Sequence, residues 1–216
     1  MNCCSNEHTQ AKDNFFSKRS KRYAKQFRKK GLDKPQQLLL EGILKANTIS
    51  SKSLLEIGCG AGGLLITLLQ KGASNAIGVD ASEGMLEHAK QFAKDLKQEN
   101  RIEFRYGDFS QQANAISQAD VTILDKVLCC DENPKSLIEL STQKTNEVYA
   151  VSFPRDGIMA RIFFTSGIAI AKLFRLKFTP FYHEASQLEL WIESNGFLKV
   201  YSNNTIIWQI LIFKKK

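Results

Sequence analysis

Three carboxylates punctuate this sequence, each at the end of an expected strand. Glu56 closes Leu54-Leu55, Asp80 closes Ala76-Ile77-Gly78-Val79, and Asp108 follows Ile102-Glu103-Phe104-Arg105-Tyr106-Gly107. Behind Glu56 stand Gly58, Gly60 and Gly62, and then an apolar helical pattern. The spacing predicts a strand, a tight turn and a helix start. Glycines there let the backbone turn sharply and let a ligand approach it closely, and the helix behind aims free N–H groups at whatever sits in the loop. Glu56 would repel a bare phosphate and accept from an amine or hydroxyl. Asp80 suits a ribose diol. Asp108 could accept from the exocyclic amine of adenine, with Phe109 packing on the ring. The ligand that satisfies all three has a cationic amino-acid end and a nucleoside tail. In open α/β sheets ligands bind outside the carboxyl ends of the strands, where these acids fall.

Other readings start from the same residues. Gly58, Gly60 and Gly63 also spell the G-x-G-x-x-G of dinucleotide folds, a weak signal taken alone. The glycine loop could be an ordinary strand-to-helix turn, and Asp80 and Asp108 could be simple helix caps.

Glu56-x-Gly58-x-Gly60-x-Gly62, Gly78-Val79-Asp80-Ala81-Ser82 and Gly107-Asp108 resemble the first three motifs of class I S-adenosylmethionine-dependent methyltransferases. The resemblance covers roughly residues 53–151. It implies that the loop from Glu56 to Gly62 holds the methionine part of the cofactor, that Asp80 binds the ribose hydroxyls, and that Asp108 with Phe109 holds the adenine. The cofactor contacts carried over are Glu56, Gly58, Cys59, Gly60, Gly62, Asp80, Ala81, Met85, Asp108, Phe109 and Asp125. No metal is called for.

The elements that would position these residues follow from periodicity. Phe16, Tyr23 and Phe27 share one face of a basic amphipathic helix. Pro35 suits the first turn of a second helix with a stripe of Leu39, Leu40, Ile43 and Leu44. Strands are expected at about 53–57, 75–79, 102–106, 120–124, 147–152, 197–202 and 206–213. Helices are expected to about 71, at 82–97 capped by Ser82, at 133–143 and at 185–195 closed by Gly196. Asn203-Asn204 tolerates positive φ and is expected to turn the last hairpin. Right-handed crossovers then give a doubly wound, Rossmann-like α/β fold, with a seven-stranded, mostly parallel sheet and one antiparallel strand. One domain over 1–216 is expected. It comprises a basic helical segment (1–48), a cofactor core (53–152), a substrate-side insertion (153–183) and a C-terminal helix and strand pair (184–216).

Composition narrows the class. Hydrophobic residues make up 43% of 216, enough for one core. No run of about eighteen uncharged apolar residues occurs, so no spanning helix is expected. The N-terminus lacks the apolar core of a secretory signal. Cysteines at 3, 4, 59, 129 and 130 are odd in number and form no C-x-x-C. That argues against a disulfide framework and for a reducing, cytoplasmic setting. Charge is uneven: residues 1–35 carry ten Lys or Arg and three acids, whereas residues 36–154 carry eleven and fifteen. Residues 155–177 carry five basic residues and one acid. The basic appendages point to an anionic substrate or an anionic membrane surface; a solvated Lys-rich helix face is the alternative for residues 12–34.

The chemical step is expected where strand 4 ends, at Leu124-Asp125-Lys126-Val127-Leu128-Cys129-Cys130. The segment lacks the Asn/Asp-Pro-Pro-Tyr of exocyclic-amine enzymes and the Pro-Cys of cytosine C5 enzymes, which argues against nucleic acid. Asp125 could face a sulfonium or orient a nucleophile, or only cap the strand. Lys126 could hold an anionic group or be solvated. Cys129 and Cys130 read as small buried residues. His183, between Phe178-Phe181-Tyr182 and a helix start, is the candidate general base, or else a structural histidine at that helix N-terminus. The segment 157–174 is too short to span a bilayer and could cap an apolar pocket, lie on a membrane, form a dimer face or pack in the core.

A finer resemblance joins Asp125-Lys126-Val127-Leu128-Cys129-Cys130, Ser152-Phe153-Pro154-Arg155, Tyr182-His183 and Ile207-Trp208-Gln209 to a bacterial group of small methyltransferases. That group is distantly similar to magnesium-protoporphyrin O-methyltransferases. This chain reads Cys130-Asp131-Glu132 where those have His-Tyr-Pro, so a porphyrin carboxylate is not carried over. The expectation is an S-adenosylmethionine-dependent methyltransferase acting at oxygen or nitrogen of a small acceptor, apolar in body and anionic at one end. A non-catalytic cofactor-binding subunit and a nicotinamide-dependent oxidoreductase remain as alternatives.

Overall fold

The structure, a computed structural model, describes residues 3–158, 161, 162, 165, 166, 168, 169 and 178–216, with side chains from Thr9 onward. Its strands are β1 (Ser53–Ile57), β2 (Asn75–Asp80), β3 (Ile102–Tyr106), β4 (Ala119–Asp125), β5 (Thr145–Pro154), β6 (Phe197–Asn204) and β7 (Trp208–Lys215). They form one sheet in the order β3-β2-β1-β4-β5-β7-β6. The β1–β2, β2–β3, β1–β4 and β4–β5 pairs are parallel, and only β7 runs against its neighbours. The strand order reverses between β1 and β4, which opens a crevice at their carboxyl ends.

The helices are α1 (Cys3–Lys30), α2 (Lys34–Ala46), α3 (Gly63–Gln70), α4 (Glu83–Asp95), α5 (Phe109–Gln112), α6 (Pro134–Gln143) and α7 (Ala185–Ser194). Alternation along the central strands separates two cores. Leu54, Val121 and Ile123 join α2, α3 and α4 on one face; Leu55, Ile57 and Leu124 join α6 and α7 on the other. Burial of each such Leu or Ile contributes about 1.5–3 kcal/mol. No helix among the described residues is long and apolar enough to cross a membrane.

The helix starts follow local chemistry. Ser82 Oγ accepts from Met85 N, and Asn133 caps α6 ahead of Pro134. Asp33 and Gln36 form a capping box at α2, with Pro35 in the first turn. Glu184 gives α7 no side-chain cap. Asp156 does so instead, accepting from Ala185 N (3.0 Å) and Ser186 N (3.3 Å).

Two local expectations are corrected. Asn203 and Asn204 do not turn the hairpin; they pair with Ile210 and Gln209 inside it. The chain reverses over 205–207, where Thr205 Oγ1 accepts from Trp208 N at 2.9 Å and Thr205 N donates to Trp208 O at 2.8 Å. A Thr hydroxyl closes the turn without the positive φ that Asn was expected to supply. The buried stripe of α2 is Leu38, Leu39, Gly42 and Ile43, and Leu44 is exposed. The stripe shifts because Gly42 sits where a β-carbon would meet Ile212 and Tyr201 at 2.6 Å, so that side of the helix lies against the sheet. Of the apolar stretch 157–174, most lies outside the described residues; within them Ile158 and Ile162 are exposed.

Candidate active site

The glycine loop is held by its neighbours on β2. Gly58 N and Cys59 N both donate to Val79 O, at 2.7 and 3.0 Å. Gly60 N donates to Asp80 Oδ2 at 2.7 Å, and Ser82 N to Asp80 Oδ1 at 2.8 Å. Asp80 therefore fixes the loop as well as facing the crevice. Burial pushes its carboxyl up to about 6, against the pull of these two N–H groups. Gly58, Gly60 and Gly62 have φ of 70°, 53° and 75°, the left-handed region that favours glycine. A β-carbon on Gly58 would lie 2.4 Å from Val127 Cγ2, whereas one on Gly60 would meet no atom of the described residues within 4 Å. Gly60 thus leaves a cradle that a side chain would fill.

Glu56 is 1% exposed, and its Oε2 has no hydrogen-bond partner among the described residues. Burial first, then the charges of Asp125 and Asp80, push its carboxyl well above the usual range. A buried, unpaired carboxylate oxygen is costly; a cationic donor on the open side would satisfy it and restore its charge.

At the end of β4, Asp125 Oδ1 accepts from Ser152 Oγ at 2.5 Å, and its Oδ2 lies 3.4 Å from Lys126 Nζ. Lys126 adopts φ 60°, a conformation that costs a non-glycine residue about 1–2 kcal/mol. Its ammonium donates to Asp33 Oδ2 at 2.6 Å and lies 5.7 Å over the Trp208 ring. Burial disfavours that charge, but Asp125 and Asp33 outweigh it and hold the lysine above its ordinary pKa. Lys126 is therefore not a freely solvated lysine: paired with Asp33 and Asp125, it ties the α2 cap to the strand end.

Asp108 caps α5 by accepting from Ser110 N at 2.8 Å, and Phe109 is buried behind it. Across from them α1 lies over the crevice. Lys12 Nζ stands 3.5 Å from Asp108 Oδ2 and 3.7 Å from Asp131 Oδ2. Ser17 Oγ accepts from Gly84 N at 3.0 Å and lies 2.8 Å from Ser82 Oγ. Phe27 stacks edge-on to Phe92, and Phe15 and Phe16 pack on Phe178.

These elements enclose a cavity of about 230 Å³. Glu56, Gly58, Cys59, Gly60, Asp80, Ala81, Met85, Asp108, Phe109 and Asp125 all line it; Gly62 stands just behind, as the first cap of α3. Among the described residues the lining also includes Lys12, Phe16, Tyr23, Gln26, Phe27, Asp33, Gln36, Lys126, Cys130 and Asp131. The sequence hinted at this wall through the Phe16-Tyr23-Phe27 spacing and the Asp33–Gln36 capping box, but neither names the cavity. Six carboxylates and two lysines face the space.

His183 is not among the lining residues described. Its Nε2 lies 2.9 Å from the carbonyl oxygen of Asp131, and its ring stacks on Phe181. A carbonyl only accepts, so Nε2 carries the proton and Nδ1 is the nitrogen that could take one. Burial raises the Cys59 thiol well above its ordinary pKa, with Asp80 and Glu56 adding to it. That buried thiol is not an activated nucleophile.

A family model for the methyltransferase domain matches residues 49–197. The chain belongs to the methyltransferase-domain family. The match takes in the glycine loop, all three strand-end acids and the β4 turn. The chain shares its fold with the magnesium protoporphyrin IX methyltransferase of Synechocystis PCC 6803 with bound S-adenosylmethionine, at 20% identity, full coverage of both chains and a TM-score of 0.74. An S-adenosylmethionine-dependent methyltransferase of Mesorhizobium loti follows at 14% identity, 84% and 98% coverage and a TM-score of 0.66. An uncharacterized protein of Haemophilus influenzae is 40% identical over 96 residues, 44% of this chain and 35% of that protein. The match thus spans about a third of that curated relative. S-adenosylmethionine is the cofactor that goes with this domain and fold, and the unpaired Glu56 oxygen and the open Gly60 cradle fit it.

Proposed function

We propose that this methyltransferase binds S-adenosylmethionine in the cavity and transfers its methyl group to an oxygen or nitrogen of a small acceptor. The unpartnered Oε2 of Glu56 carries this reading. It sits beside the glycine loop and calls for a cationic donor, as the amino group of a methionine moiety would be. The acidic lining supports it, because six carboxylates favour a cationic sulfonium ligand and repel the pyrophosphate of a dinucleotide.

In this reading Glu56 binds the amino group, Gly58, Cys59, Gly60 and Gly62 cradle the methionine part, and Asp80 with Ala81 takes the ribose. Met85, Asp108 and Phe109 hold the adenine. When bound, the cofactor supplies an electrophilic methyl group. The chain supplies position: a transfer in line from a sulfonium to an oxygen that is already anionic needs orientation and water exclusion more than proton transfer. Asp125, fixed by Ser152 and Lys126, is the residue that orients at the strand end. The aromatic edges of Phe16, Tyr23 and Phe27 give the acceptor's body an apolar wall, and the cationic outer face of α1 favours approach of an anionic partner or membrane surface.

A second reading gives His183 the role of general base through Nδ1, for a hydroxyl or amine acceptor. It rests on the bond that commits Nε2 to Asp131. His183→Ala would then lower turnover about 100-fold with cofactor affinity unchanged; unchanged turnover favours the anionic acceptor.

Calorimetry tests the first claim. S-adenosylhomocysteine should bind and NAD should not, and Glu56→Gln should weaken binding by about tenfold or more. Tight NAD binding without S-adenosylhomocysteine binding would overturn the reading.

A further inference from the structure

The turn after β4 holds two thiols that methyl transfer does not use. Cys129 and Cys130 are adjacent on a single turn of 3-10 helix, Leu128–Cys130. Their sulfurs share one acceptor: Cys129 Sγ lies 3.4 Å and Cys130 Sγ 3.5 Å from the carbonyl oxygen of Lys126. Neighbouring side chains on an extended strand point to opposite faces; here the turn brings both to the same side. Cys130 lines the cavity next to Asp131, and Cys129 is buried directly behind it. Phe181 N donates to Cys129 O at 2.8 Å and pins the turn.

The bond to Cys130, with burial, raises the Cys129 thiol well above its ordinary pKa. It stays protonated at neutral pH and is a poor nucleophile alone. A soft centre that binds two sulfurs at once does not depend on that reactivity. Thiol ligands select soft centres, and once one sulfur is bound the second closes a ring at high effective concentration.

We infer that Cys129 and Cys130 form a vicinal dithiol site, open to the cavity through Cys130, for a soft thiophilic ligand of the trivalent organoarsenical class, and that filling it closes the cavity to the cofactor. Two As–S bonds form and two S–H bonds break. The arsenical's oxygen leaves with both protons as water, and arsenic stays trivalent, so no oxidant is needed. Cys59 is not part of the site; its sulfur lies against Gly60 O in the glycine loop. The dithiol site stands independently of the cofactor reading, and only the closure rests on it.

The experiment uses the full chain carrying Cys3→Ser and Cys4→Ser, because that second adjacent pair would answer the same reagent. Phenylarsine oxide is added, adducts are weighed by mass spectrometry, and S-adenosylhomocysteine is titrated by calorimetry. One phenylarsenic group per chain is expected, stable to a monothiol and released by a dithiol. It should be lost in Cys129→Ser, in Cys130→Ser and in Cys130→Ala, the two Cys130 variants with unchanged melting and the buried Cys129→Ser with some loss of stability. Occupancy should raise the S-adenosylhomocysteine Kd by about tenfold or more. No adduct, or one that survives Cys129→Ser, overturns the dithiol site. An adduct with unchanged Kd overturns the closure. Failure of the untreated chain to bind S-adenosylhomocysteine counts against the cofactor reading and leaves the adduct stoichiometry to decide the dithiol site.

Discussion

Lys12 and Asp108 are 96 residues apart in sequence and 3.5 Å apart in the fold. The same ammonium lies 3.7 Å from Asp131, so one lysine on α1 joins both rims of the crevice. Both pairs are mostly shielded from water, which puts them above the weakest surface bridges. Lys12→Met should therefore raise the S-adenosylhomocysteine Kd about fivefold, mainly through faster dissociation. Stopped-flow fluorescence measures this directly; an unchanged dissociation rate would show that α1 does not retain the ligand.

Gly58 and Gly60 should separate folding from binding. Gly60→Ala meets no neighbour and should cost only the left-handed strain, about 1–2 kcal/mol in urea unfolding, yet abolish measurable cofactor binding. Gly58→Ala adds a methyl 2.4 Å from Val127 and should cost more, about 3 kcal/mol or above. Adding Val127→Ala should return the steric part. Equal losses in the two single variants would contradict the cradle.

Asp80 sets a pH dependence. Its carboxyl is raised from 3.8 to about 6 on folding. Between those values the folded chain holds a proton that the unfolded chain releases. Its contribution to stability is thus full below about pH 4 and is lost as pH rises to about 6, on the order of 3 kcal/mol. Ligand affinity should run the other way, because ribose hydroxyls favour the ionised carboxylate. The S-adenosylhomocysteine Kd should rise as pH falls below about 6. Calorimetry at several pH values checks this, and Asp80→Asn should flatten the profile.

The outer face of α1 carries exposed Lys25, Arg28 and Lys29. Among the described residues Arg28 meets a nearby acid, Asp95 at 3.9 Å, and both are well exposed, so that bridge contributes little. If α1 recruits an anionic surface, binding to vesicles of acidic lipid should weaken with salt, since exposed charges are screened within about 8 Å at physiological ionic strength. Reversing the three residues to Glu should weaken it further. Vesicle sedimentation that ignores both salt and reversal would leave a solvated helix face.

Much of the sheet is legible in the sequence because its punctuation is local. Glu56 and Asp80 end apolar runs, Asp108 follows the alternating Ile102–Tyr106, and Ser82, Asn133 and Pro134 mark helix starts within one turn. The Asn203-Asn204 turn was misplaced because a Thr hydroxyl two residues on could close the hairpin equally well. The α2 stripe was misjudged by one residue because Gly42 has no side chain to show that its side is packed. The roof is the least legible part. Lys12–Asp108 and Lys126–Asp33 are long-range pairs between charged residues that look solvated in sequence, and only the folded chain brings them together. The same holds for His183, whose contact with the Asp131 carbonyl leaves no trace in residue type.

The position of α1 also orders events during synthesis. The helix leaves the ribosome before every element it covers. Phe15 finds its ring partner Phe178 only after roughly 160 further residues, about 10–30 s at ordinary translation rates. Phe27 meets its ring partner Phe92 much sooner, after roughly 65 residues, so α1 can dock on α4 first and its Phe15 end last. The roof is thus made first and fitted in stages, so a nascent chain keeps an open end to the crevice until Phe178 has emerged.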